Sequence, residues 1–195
     1  MKTRLFLTVL VLLSVLTLSA QEARYEIKSA VITKNIEMMG QKIDGVQYID
    51  DFGVKESVML KMPMQGVPGV FLRILTINKG DTVITANLEF KTGSKVVLPE
   101  KPVNYLNLTE EVKDKYNLKE LEKEEIAGRL CNKYSLVISQ MGQQVRTTTW
   151  VWKGIVLKSI VSAAGMSMTE EATDIQENAD INAENFIIPN DITIQ

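Results

Sequence analysis

The chain has 195 residues, 45% of them hydrophobic and 24% charged, with a formal net charge of −2 and no histidine. Without histidine there is no Ser-His-Asp or Cys-His nucleophile and no His-ligated zinc, and 22 basic residues against 24 acidic ones leave no footprint for nucleic acid. No glycine-rich phosphate loop, CxxC or HExxH occurs, so the expected class is a binding protein, not an enzyme, with no cofactor.

Residues 1–20 read as an export signal. Lys2 and Arg4 precede an apolar run from Leu5 to Leu18, and Ser19 and Ala20 suit cleavage. The run has 14 residues, short of the ~20 that span a bilayer, so a removable signal peptide is expected. No cysteine stands at the end of the run, so residues 21–195 are expected as one soluble periplasmic or secreted domain, monomeric and without a lipid anchor.

Gly40, Gly53, Gly66, Gly80 and Gly93 stand 13, 13, 14 and 13 residues apart, with runs of alternating polarity between them. This is the pattern of a meander of antiparallel strands closed by tight turns. Strands are predicted at 25–38, 43–50, 54–62, 70–78, 82–90 and 95–98. Thr82, Ile84, Ala86, Leu88 and Phe90 share one face of their strand, and Val54, Val58, Leu60 and Met62 one face of theirs. The run 70–78 is apolar on both faces, as in a strand covered twice. The first strand changes parity between Val31 and Ile32, which predicts a bulge near Ser29 or Ala30, or a strand exchange at a bend.

Pro99 and Pro102 end this block. Asn107 and Glu110 have capping-box spacing, and Val112, Tyr116, Leu118 and Leu121 give an apolar stripe, so a helix is predicted over 109–122. The cap accounts for Asn107-Leu108-Thr109 without invoking glycosylation. A second block of strands is predicted at 127–139, 144–152, 155–162, 167–176 and 185–188, with turns at Met141-Gly142, Lys153-Gly154 and Ala164-Gly165. Cys131, the only cysteine, reads as a small buried residue.

Ten or eleven strands exceed what an open twisted sheet holds without curling. The expected fold is mainly β: a long antiparallel meander curled into a half-barrel, apolar face inward, with the segment near 109–122 as a lid. Trp150, Trp152, Met62, Leu60, Ile84, Leu88 and Phe90 are the candidates to line the cavity, and Val112, Tyr116 and Leu121 to form the lid. Trp150 and Trp152 share a strand face with Thr148 and Arg146, where they either fill the core or touch a ligand.

The segment Trp150-Val-Trp-Lys-Gly-Ile-Val-Leu-Lys158 resembles a hairpin of the periplasmic lipoprotein-carrier superfamily, half-barrels with helical lids that include the outer-membrane lipoprotein-sorting factors. Ala127-Gly-Arg-Leu-Cys-Asn-Lys-Tyr134 and Phe186-Ile-Ile-Pro189 resemble uncharacterised exported members of that group. The resemblance implies a carrier for an apolar ligand, lipid or lipoprotein acyl chains, with an envelope lipoprotein as a partner. It also implies a cavity arginine that holds the lid; the sequence does not single one out among Arg24, Arg73, Arg129 and Arg146.

Two other functions fit the sequence. Met62 with Met64, and Met166 with Met168, are thioether pairs of the kind that suit Cu(I), which would make an exported copper-binding module. A ligand-free envelope scaffold is the third reading.

Overall fold

The computed structural model describes residues 23–195 except 65, 141–142 and 164. The expected signal peptide and the Met141-Gly142 turn lie outside the described residues. Among those described, the strands are β1 (Ala30–Met38), β2 (Gln41–Asp50), β3 (Lys55–Pro63), β4 (Phe71–Lys79), β5 (Thr82–Asn87), β6 (Thr92–Val97), β7 (Lys119–Ile126), β8 (Arg129–Gln140), β9 (Gln143–Trp152), β10 (Ile155–Ala163), β11 (Met166–Glu177) and β12 (Thr193–Ile194). Among the described residues one helix, α1 (Glu110–Lys115), precedes β7, and short 3-10 turns span Asp51–Gly53 and Ala183–Phe186.

All twelve strands form one sheet in the order β12-β6-β5-β4-β3-β2-β1-β11-β10-β9-β8-β7. Every neighbouring pair is antiparallel except the short parallel contact of β12 with β6. The two meanders join where β1 lies beside β11, with Ala30 opposite Glu177 and Met38 opposite Met168. The sheet does not close: β7 is one edge, and β6 with β12 is the other. This is the expected half-barrel.

The tight turns follow from local chemistry. Met39-Gly40 (φ 51 and 75) and Lys153-Gly154 (φ 50 and 84) both have two consecutive left-handed residues, the two-residue turn whose twist matches that of its strands. Gly154 is also needed for space, because a Cβ there would lie 2.5 Å from the Arg24 carbonyl oxygen.

Four expectations about elements are corrected. Residues 25–28 are bends, not strand, and β1 begins at Ala30; the parity change in the sequence marks that boundary, and the register shift of β1 against β11 falls at Thr33/Lys34. β5 stops at Asn87, because the Asn87 Oδ1 accepts the amides of Glu89 and Phe90 and turns the chain. The helix is shorter than 109–122. Thr109, not Asn107, caps it through the Val112 amide, and it ends where Asn117 turns left-handed at φ 45. The run Lys119–Ile126 then pairs with β8; edge pairing overrides its helix-compatible composition, and its charges blunt an exposed edge. Finally, 185–188 is not a strand; the 3-10 turn capped by Asn182 stands there.

The core runs through Ile32, Ile49, Ile155, Leu157, Cys131, Trp150 and Ile175, all buried, and Tyr25 and Ile27 join it from the amino-terminal bends. Leu75 and Ile77 on β4 are buried on the other side of the sheet from Ile74 and Thr76. Phe186 and Ile187 of the carboxyl-terminal segment share a cavity with Ile77, so that segment lies over one face of β4, while Ile74 and Thr76 on the other face are half-buried.

Candidate functional site: a hollow under a strap

Residues paired across antiparallel strands share a face. The ladders set Gln47 opposite both Ile32 and Val58, and Ile49 opposite Glu56, so Ile32, Lys34, Gln47, Glu56, Val58, Leu60 and Met62 form one face. Lys34, Gln47, Glu56 and Val58 meet Leu136 of β8, Thr147 of β9, Val156 of β10 and Glu170 of β11 around a hollow of about 430 Å³. Arg24 and Tyr25 enter from the amino-terminal bends, and Pro102, Val103, Asn104 and Tyr105 from the segment between β6 and α1. That segment is a strap. It links the β6 side of the sheet to the β7 edge, and it packs on β8 and β9 where Tyr105 and Leu108 meet Leu118, Tyr134 and Val151. The Tyr105 and Tyr134 rings stack at 5.6 Å, and the Thr149 hydroxyl donates to the Tyr105 hydroxyl at 3.3 Å.

The hollow is not purely apolar. The Lys34 ammonium, nearly buried, is 2.6 Å from the Glu170 carboxylate and donates to the Val156 carbonyl at 3.4 Å. Glu56 is 5% exposed. It accepts from Arg24 Nη1 at 2.7 Å and from Gln47 Nε2 at 2.5 Å. Each ion therefore has an opposite charge at contact, which is what makes its burial tolerable. The Gln47 Oε1 is buried with no partner. Burial, helped by the neighbouring Glu56 carboxylate, pushes the Tyr25 hydroxyl far above its ordinary pKa, and burial raises Tyr105 as well. Both phenols stay neutral at physiological pH.

The structure separates the expected lining residues. Leu60 and Met62 are on the hollow's face but flank it; a Cβ on Gly45 would lie 3.1 Å from Leu60 Cδ2. Ile84 pairs with Ile77, on the opposite face. Leu88 and Phe90 fall in the turn after β5, where Phe90 is 61% exposed. Trp150 and Trp152 alternate with Thr147, Thr149 and Val151, so they point away from the hollow. Trp150 is a core residue. Lys133 and Lys158 lie 4.6 and 5.1 Å from its ring centroid, and its Nε1 donates to Glu124 at 2.9 Å. Trp152 lies between Arg129 and Lys153, both paired to Glu177.

The expected lid residues do not form the roof. α1 buries no residue, Leu121 is on β7 and 43% exposed, and Tyr116 donates from the helix end to Glu100 at 2.8 Å. The strap around Tyr105 covers the hollow instead. The methionine pairs are on β3 with its following loop and on β11, separated by β2 and β1. Three strand spacings amount to about 14 Å, so one ion cannot take ligands from both pairs. Cys131 is fully buried, and burial pushes its thiol up to about 11.

Of the four candidate arginines, Arg24 lines the hollow; Arg73 pairs with Glu89 on the surface, Arg129 covers Trp152, and Arg146 is exposed. The charged lining was missed from sequence, although a signal was there. Lys34 interrupts the apolar face Ala30, Ile32, Ile36, and Glu56 heads the face Val58, Leu60, Met62. A charge at an inward strand position marks a buried polar site.

No protein-family model matches the chain, and no curated protein matches it. Solved structures do. An uncharacterized conserved protein from Thermus thermophilus superposes with a TM-score of 0.55 at 12% identity, covering 91% of this chain and 98% of that one. MucB, in its complex with MucA from Pseudomonas aeruginosa, superposes with a TM-score of 0.53 at 13% identity, covering 87% of this chain. The fold is shared with MucB. At such identities the likeness is one of fold alone, and the chain spans 58% of the length of MucB.

Proposed function

We propose that the protein is a soluble carrier of the periplasm that holds an amphiphilic lipid, or the acyl chain of a lipoprotein, in the strap-covered hollow, and that it performs no covalent chemistry. The observation that carries this reading is the hollow itself. About 430 Å³ between the curled sheet and the strap is not filled by the protein's own side chains, and this is within the ~300–1,000 Å³ of small-molecule pockets. Apolar contact comes from Val58, Leu136, Val156, Pro102 and Val103, and hydrocarbon buried against them gains roughly 25 cal/mol per Å². The paired charges at Lys34–Glu170 and Arg24–Glu56, with the unpartnered Gln47 oxygen, suit a ligand with a polar end. Arg24 is the candidate for the cavity arginine that the resemblance implies. The fold shared with MucB supports the carrier reading only at the level of architecture.

The experiment is to isolate the protein from the envelope of its host, extract it with organic solvent, and analyse extract and metal content by mass spectrometry. Lipid at near-equimolar amount or above supports the carrier, provided that it falls by about one equivalent in a Thr147→Trp variant that fills the hollow. Copper without lipid, or an empty protein, refutes it in favour of the methionine module or the scaffold.

A further inference from the structure

A second cavity of about 630 Å³ lies where the carboxyl-terminal segment passes the ends of β3 and β4. It is lined by Val54, Ile77 and Phe186, with Ala183 and Ile187, which is 57% exposed, at its open side. Ile77 is 2% exposed and forms a dry floor. The covering segment is fixed on both sides of the cavity. On one side the Asn178 amide bonds to the Ser29 carbonyl and the Ser29 hydroxyl to the Ala179 carbonyl; on the other, β12 pairs with β6. The wall is thus built by the chain itself, and the space behind it is larger than the hollow.

The charged residues that line this cavity are two lysines and one acid. Lys55 and Lys79, both exposed, stand on its rim. Asp50 holds Lys55 at 3.0 Å, while Lys79 has no ion pair among the described residues. The one acid on the wall, Glu56, has both oxygens engaged, by Arg24 and by Gln47. An apolar chamber with a cationic mouth matches a single hydrocarbon chain that ends in an anion.

We propose that this cavity is a second binding site, separate from the hollow, for a long-chain fatty acid. The chain lies against Ile77, Phe186 and Ile187, and the carboxylate meets Lys79 and Lys55. Glu56 stands between the two sites and contributes to both linings.

The test uses oleate carrying carbon-13 in its carboxyl group, with methyl oleate as the uncharged control, on protein whose hollow is filled by Thr147→Trp. One equivalent of oleate is expected to remain bound. Lys79→Glu weakens oleate about fivefold, as expected for reversing one exposed charge, and leaves methyl oleate unchanged. Ala183→Trp, which fills the chamber from an exposed position, removes both. Lys79→Glu is a surface change, so the test stands even where Ala183→Trp does not fold. The proposal is overturned if the Thr147→Trp protein binds no oleate up to its solubility limit, or if folded Lys79→Glu and Ala183→Trp proteins bind it unchanged. Failure of the hollow as a lipid site leaves this result unaffected, since the hollow is blocked throughout.

Discussion

Replacing Glu56 by leucine tests whether the charged lining of the hollow is structural. The carboxylate is 6% exposed and receives two hydrogen bonds, from Arg24 and Gln47. Arg24 is 29% exposed, so its guanidinium turns to water when its partner is lost, at about 0.5–1 kcal/mol. Gln47 is 5% exposed and its Oε1 already lacks a partner. Stranding its amide donor as well costs about 1–3 kcal/mol. The sum is about 3 kcal/mol, or about 6–12 °C in melting temperature for a domain of this size. Urea and thermal unfolding followed by circular dichroism measure it. The sharper arm is Glu56→Leu combined with Gln47→Leu. Removing both members of a buried pair strands nothing, so the double variant is expected to be more stable than Glu56→Leu alone. A single variant that melts within about 2 °C of wild type, or a double variant less stable than the single, refutes the reasoning.

Three further outcomes are expected. Gly154→Ala places a Cβ 2.5 Å from the Arg24 carbonyl at φ +84, whereas Gly128→Ala at φ +71 meets nothing within 4 Å; urea unfolding should show a loss of about 1 kcal/mol for Gly128→Ala from left-handed strain and clearly more for Gly154→Ala. Cys131, whose thiol is pushed up to about 11, should react with a disulfide reagent at mildly alkaline pH far more slowly in folded than in urea-unfolded protein. The Glu124 carboxyl is held below its usual value, first by the Trp150 N–H and then by Lys133. Its contribution to stability is therefore complete above the ordinary carboxylate range and is lost as pH falls through its lowered value. The fluorescence of Trp150, read in a Trp152→Phe background, should change in that acid step, and Glu124→Gln should abolish the change.

The fold was more legible in sequence than the site. Glycine spacing and alternation gave the strands, since a two-residue turn such as Met39-Gly40 and a half-buried strand are both local matters. The run from Lys119 to Glu125 was misread because its charges suit a helix surface and an edge strand equally, and only pairing with β8 decides. The lining residues depend on which strands meet across the curl, and no local pattern carries that. Ile84 and Leu60 alternate equally well, yet the ladders put them on opposite faces. Trp150 and Trp152 drew attention by size, while Lys34 and Glu56, the residues at the hollow, were marked by a charge out of phase with its strand.

The pairing of β1 with β11 has a consequence for how the chain matures. The first strand waits at the middle of the sheet for the last long one, with Ala30 opposite Glu177. Contacts so distant in sequence form slowly, so the seam between the two meanders is expected to close after the hairpins within each. A product cut short before Met166 would therefore expose β1 as a bare, aggregation-prone margin.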